Sequence, residues 1–163
     1  MKNYTIGIYF DCYLKRIALI LKNRPDWQAG KFNFPGGHIE LNEPSNNCVI
    51  REFKEECGIN TTYDDWKHIG RIINKEHYVV EIFTAIQDVE HGEITTMEDQ
   101  KVTWIDIDKL PENIISNLFW LIPFALNYWK QGNADHLKFG TFDYKYPVPN
   151  SFEKTEAGGQ KNI

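Results

Sequence analysis

Three glutamates, Glu52, Glu55 and Glu56, fall within the short run Arg51-Glu-Phe-Lys-Glu-Glu-Cys-Gly-Ile59. Apolar Cys48, Val49, Phe53 and Cys57 recur at helical spacing, so Ser45 to Cys57 reads as a helix, with Ser45 as its N-cap and Gly58 as its stop. Residues three and four apart share one face of a helix. The three carboxylates therefore repel one another. Glu55 and Glu56 also stand near the C-terminal end, where the helix dipole disfavours negative charge. A hard divalent cation would offset both costs. Magnesium takes one or two carboxylates and keeps room for water and substrate phosphates. A bare acidic run is more often a solvated helix face, so the flanking residues decide.

Those residues are Gly37, Glu43, Arg51, Phe53, Gly58 and Ile59. With the three glutamates they fill all nine specified positions of the pattern GX5EX7REUXEEXGU, where U is a bulky apolar residue. The segment Gly37 to Ile59 thus resembles the Nudix box. A match of this length is far more specific than a lone glycine motif. The resemblance implies an α/β layered fold, a mixed β-sheet sandwiched between helices. It also implies Mg2+-dependent hydrolysis of a phosphoanhydride bond, with Mn2+ as a substitute. Glu52 and Glu56 would be the main metal ligands, with the carbonyl of Gly36 or Gly37 beside them. Glu55 would be a further ligand or would position the water. Arg51 would pair with Glu43 and tie the preceding loop to the helix.

In MutT-type members the general base often lies outside the box, on a loop before a Trp-containing strand. Glu98 fits that place, six residues before Trp104, and Asp99 competes with it. Glu55, Glu98 and Arg51 are therefore the candidate catalytic residues.

The stretch from Arg24 to Gly37 resembles the one that precedes the box in MutT-type nucleoside triphosphate diphosphatases. Asn33 would then face the base, since an amide offers both a donor and an acceptor. Lys22 or Arg24 could meet a phosphate. Leu118-Phe-Trp-Leu121 and His77-Tyr-Val-Val80 are similar to the small nucleotide-sanitising branch, in which Phe119 and Trp120 would border the base. The segment from Asp88 to Gln100 and the chain after Gly132 depart from that branch. The expected substrate is a nucleoside triphosphate, forms modified or oxidised in the base included, cleaved to the monophosphate and pyrophosphate. ADP-ribose, a dinucleoside polyphosphate or a nucleotide sugar is the alternative. A non-catalytic nucleotide-binding module is a weaker one, because every acidic position of the box is intact. A homodimer would also be in keeping with the resemblance.

These residues need a scaffold. Tyr4 to Phe10 and Arg16 to Leu21 read as strands around a turn at Asp11 to Lys15. Asn23 to Asp26 opens a loop, and Lys31 to Phe34 reads as a short strand ended by Pro35-Gly36-Gly37. Trp66 to Ile73 and Tyr78 to Ile86 read as a hairpin joined near Asn74 to His77. Gln87 to Gln100 reads as an exposed loop, and Lys101 to Ile107 as a strand. A last helix is predicted from about Ile114 to Gln131, with Pro123 as a kink or as its true start.

The 163 residues suit one domain, predicted over 1–149, with a flexible polar tail over 150–163. Apolar residues at 42% supply a core. A net charge of -5 argues against nucleic-acid binding. It leaves room for an anionic nucleotide if a cation inverts the local field. The three cysteines show no CxxC spacing, so neither a disulfide framework nor a zinc site is indicated. Asp11, Lys15 and Arg16 interrupt the N-terminal apolar stretches, which therefore do not read as a signal peptide. No apolar run approaches membrane-spanning length. A cytoplasmic location is the resulting expectation.

Overall fold

The computed structural model describes residues 1–74, 77–132 and 140–143. Nine elements follow in order: β1 (Lys2–Phe10), β2 (Arg16–Leu21), β3 (Phe32–Asn33), α1 (Ser45–Cys57), β4 (Lys67–Asn74), β5 (Tyr78–Ile86), β6 (Val102–Asp106), α2 (Leu118–Lys130) and β7 (Gly140–Asp143). The strands form one mixed sheet in the order β3-β2-β1-β5-β4-β7, with β6 paired to β2. β1 runs parallel to β5 from Lys2–Tyr78 to Phe10–Ile86. β4 and β5 form the expected antiparallel hairpin. Residues 75–76 at its turn lie outside the described residues.

The sheet is covered on both faces. Ile8, Phe10, Ile17, Leu19 and Ile82 pack with Leu118, Leu121 and Ala125 of α2. Their neighbours Tyr9, Ala18, Ile20 and Phe83 point the other way, onto Val49, Phe53 and Cys57 of α1. A period of two sends alternate side chains to opposite faces. With both faces dry, β1 and β2 need apolar residues at nearly every position, as in Ile-Ala-Leu-Ile-Leu21. The α/β layered architecture is therefore the one the sequence implies, with α1 and α2 on opposite faces.

Several boundaries differ from expectation. The N-cap of α1 is Pro44, with Ser45 the first helical residue; the Cys48 N–H donates to the Pro44 carbonyl at 3.1 Å. Pro44 has no side-chain acceptor, and its extended backbone alone turns the chain into the helix. Gly58 does end α1, in the left-handed region at φ 69. The late helix begins at Leu118, four residues after the expected Ile114, because the chain before it has another task. Asn113 and Ile115 hydrogen-bond both backbone groups of Phe32, at 2.8 and 3.0 Å, and so complete the free side of β3. Pro123 lies inside α2. The bond it removes would have ended on the carbonyl of Phe119, an exposed residue, where water can replace it.

The segment Gln87 to Gln100 is not simply an exposed loop. It contains a short 3-10 turn, Val89–His91, and His91 and Gln100 are buried. β7 was not anticipated; it pairs parallel to β4, with Gly70 opposite Gly140. The expected tail over 150–163 lies outside the described residues.

Candidate active site

The site is built where the loop before α1 lies along β1. β1 meets β2 only at Phe10–Ile17. Toward its start, the loop takes the place of a strand. Gly7 N–H donates to the Pro35 carbonyl at 3.0 Å, Thr5 N–H to Gly37 at 2.9 Å, and Ile39 N–H to Asn3 at 2.9 Å. This brings Gly36 and Gly37 against the acidic face of α1. A Cβ on Gly37 would overlap the Glu52 carboxylate. Only glycine lets backbone and carboxylate approach so closely.

Arg51 organises the carboxylates. Its Nε and Nη2 donate to Glu43 Oε1 and Oε2 at 2.8 and 3.0 Å. This two-pronged pair joins the loop to the helix in the way the motif implied. The same guanidinium donates through Nη1 to Glu52 at 2.8 Å and to Glu55 at 3.0 Å, and through Nη2 to the His38 carbonyl at 3.1 Å. Its hydrogen bonds hold Glu43 down at about pKa 2. Below them Cys48 is buried and raised to about 11 by desolvation, which leaves it an inert packing thiol.

Glu56 is the most enclosed of the three glutamates, with its side chain only 6% exposed. It accepts the Gly36 N–H at 2.8 Å and faces Lys22 Nζ at 3.8 Å. Burial nevertheless pushes its carboxyl up to about 7, and the charges of Glu52 and Glu98 add to that rise. Glu52 is raised as well, chiefly by burial. Glu55 is about half exposed at the rim. The Lys22–Glu56 pairing was not foreseen. Lys22 follows directly on β2, and its place beside α1 depends on sheet register that the sequence does not display.

Among the described residues, no three acidic, histidine or cysteine side chains already converge as a ligand shell. Two of the helix carboxylates instead share Arg51. The donor set still fits a hard divalent cation. All the side-chain donors are carboxylate oxygens. Glu56 is a buried carboxylate whose described partners, one amide and one ammonium, leave its charge undercompensated. The Gly37 carbonyl already accepts the Thr5 N–H at 2.9 Å and the weak Cys48 thiol donor at 4.0 Å, so it is less available to a further ligand than the carboxylates are.

The remaining predicted residues lie on separate loops, on β3 and on α2, which is across the sheet from α1. Met97 N–H donates to the Glu56 carbonyl at 3.2 Å and Thr95 N–H to that of Cys57 at 2.8 Å. The loop carrying Glu98 is thus docked on the C-terminal end of α1. Glu98 is exposed and makes no described hydrogen bond, whereas Asp99 accepts Arg24 at 2.8 Å and Asn23 at 2.9 Å. Those bonds, Arg24 first, hold its carboxyl below the ordinary value. Arg24 is correspondingly engaged with a carboxylate in this structure. Asn33 donates to Gln28 at 3.0 Å and accepts the Phe34 N–H at 2.8 Å. Phe119 and Trp120 diverge at the start of α2. Trp120 packs on the core, whereas Phe119 is 61% exposed.

A glycine-rich loop laid against an acidic helix, on one face of a mixed sheet, defines the class as a Nudix hydrolase of MutT-like type. The chain belongs to the NUDIX domain family, which matches residues 9–121. It is 35% identical over 135 residues to the oxidized purine nucleoside triphosphate hydrolase of Danio rerio, covering 78% of this chain and 81% of that protein. It is 31% identical over 148 residues to YvcI of Bacillus subtilis, an uncharacterized Nudix hydrolase, covering 82% and 84% respectively. Its fold is similar to that of the MutT NUDIX hydrolase from Burkholderia pseudomallei. There the TM-score is 0.61 at 25% identity, over 77% of this chain and 95% of the other.

Proposed function

We propose that the protein hydrolyses a nucleoside triphosphate, including forms modified or oxidised in the base, to the monophosphate and pyrophosphate with Mg2+. The observation that carries the reading is the intact acidic face of α1, with Glu56 buried and undercompensated beside the Gly36-Gly37 loop. The named activity of the Danio rerio relative supports the choice of a triphosphate.

Glu52 and Glu56 would hold the ion, with Glu55 at the rim. When bound, Mg2+ supplies charge neutralisation at the phosphates and a more acidic water. Arg51 keeps the loop and helix in one unit and orients Glu52 and Glu55. Glu98 accepts the proton of the attacking water. It suits that task because it is exposed, has no described hydrogen-bond partner, and lies close enough to act electrostatically on Glu52 and Glu56. Asn33 reads the base edge and Phe119 borders it, while Trp120 packs on the core behind it. Lys22 is the cation left to meet a phosphate, since Arg24 is held by Asp99.

The test is to incubate the protein with Mg2+ and a nucleotide panel and to identify the products. Monophosphate plus pyrophosphate from a triphosphate is expected. AMP plus a phosphorylated sugar from ADP-ribose, with triphosphates untouched, would replace the reading with an ADP-ribose one. A folded Glu98→Gln variant is expected to lose roughly 10²–10⁴-fold in kcat, the scale of a general base. Near-normal turnover would remove Glu98 from the mechanism.

A further inference from the structure

The loop that carries Glu98 is fastened at more points than a surface connection needs. Its base is closed by one side chain. Thr96 Oγ1 accepts the Val102 N–H at 3.0 Å and donates to the Val102 carbonyl at 3.3 Å. A side-chain hydroxyl thus replaces a strand partner and closes residues 96–102 into a ring. On one side, Thr95 and Met97 donate to the carbonyls that end α1. On the other, Asp99 accepts Asn23 and both terminal nitrogens of Arg24, at 2.9, 2.8 and 3.3 Å. The buried Gln100 accepts the Asn23 N–H at 3.2 Å, and the Lys101 carbonyl accepts the Leu21 N–H at 2.8 Å. Residues on both sides of Glu98 are fixed, while the Glu98 side chain itself is left without a described hydrogen bond.

We propose that Thr96 and Asp99 are positioning residues, which by closing and tethering this loop hold the Glu98 carboxylate at the acidic face of α1. The inference rests on the assignment of Glu98 as the base. Asp99 is thereby read as an anchor, the alternative to its being the base. Its carboxylate already serves two donors, whereas that of Glu98 accepts no described hydrogen bond. Ordering a short exposed loop costs backbone conformational freedom at every residue held. Each anchor removes part of that freedom before substrate arrives. A misplacement of about 1 Å in a catalytic group can cost on the order of 10²-fold in rate.

The experiment measures kcat and KM on whichever nucleotide the panel identifies, with the melting temperature of every variant recorded. Thr96→Val, Thr96→Ser and Asp99→Ala are made alone and combined with Glu98→Gln. Thr96→Val is expected to lower kcat roughly 10- to 100-fold with KM near wild type. Thr96→Ser keeps the hydroxyl and should restore kcat. In the Glu98→Gln background, Thr96→Val and Asp99→Ala should cost little more, because the group they position is already disabled. A merely structural role would give the same loss in both backgrounds, and that result would overturn the proposal. So would wild-type kcat for Thr96→Val when Glu98→Gln is slow. A persistent loss for Asp99→Ala alone in the Glu98→Gln background would remove Asp99 from the positioning role. Near-normal turnover of Glu98→Gln itself would overturn the base assignment, and with it the proposal.

Discussion

Glu56 folds into surroundings that oppose its charge. Its carboxyl rises from 4.5 to about 7, first because it is buried and then because Glu52 and Glu98 are near. The folded chain therefore holds a proton that the unfolded chain releases between about pH 4.5 and 7. Through this group, stability falls as pH rises across that window. Glu56→Gln removes the charge. In metal-free protein, its melting temperature relative to wild type should thus improve between pH 5 and pH 8, by the equivalent of about 1–3 kcal/mol. Turnover should fall by roughly 10²–10³-fold, as on loss of a principal electrostatic contact. A relative melting temperature that does not change with pH would show that Glu56 is not strained by burial. Glu43 has the opposite sign. Arg51 holds it at about 2, so its contribution is complete above about pH 4.5 and is lost as pH falls toward 2. Glu43→Gln should cost about 1.5–3 kcal/mol at neutral pH, as for other hydrogen bonds to charged groups. Urea unfolding at pH 7 and pH 3 would check it, with a smaller difference expected at pH 3.

At the scale of elements, α1 and the Gly36-Gly37 loop act as one piece. They are joined through Arg51–Glu43, Gly36–Glu56 and the close approach of Gly37 to Glu52. Gly37→Ala should push the Glu52 carboxylate, the far end of a flexible side chain, out of its place. A kcat loss of roughly 10²-fold is expected, with little change in melting temperature. Full activity in that variant would mean that Glu52 can shift without cost to the reaction. α1 was legible in the sequence because its apolar spacing and its motif coincide, and Gly58 ends it where a glycine stop was expected. Only the cap shifted, by one residue, since Pro44 sets the entry by backbone shape instead of a side-chain bond. Ile114 and Ile115 misled because apolar residues before a helix look helical; their actual partner, the edge of Phe32, is more than 80 residues away in sequence. β7 was unreadable for a related reason. Four residues, Gly-Thr-Phe-Asp, carry no period of their own and become a strand only beside β4. The carboxylates were legible as a set, but the partnership of Lys22 with Glu56 and of Asp99 with Arg24 depends on which loops meet, and that is decided by sheet order.

The whole molecule matters because no single element carries the site. Lys22 follows β2, Gly36 and Gly37 lie along β1, the glutamates lie on α1, and Glu98 lies on the loop before β6. An unfolded chain scatters these groups, so an ion that needs them together binds the native state and stabilises it by mass action. The gain is about 2.7 kcal/mol at a hundred times the dissociation constant. For a domain of this size, that corresponds to a rise of roughly 5–10 °C in melting temperature. Mg2+ is therefore expected to raise the melting temperature of the wild type, and EDTA to reverse the rise. Because Glu56 must release its proton before it can ligate, the rise should be larger at pH 8 than at pH 6, and binding should release protons near pH 7. Glu56→Gln should abolish most of the rise while leaving the metal-free protein folded. An equal rise in wild type and Glu56→Gln at both pH values would place the ion elsewhere. No rise at all at millimolar Mg2+ would mean that the acidic face of α1 does not bind the ion without nucleotide, and the same measurement would then be made with a nucleoside triphosphate present.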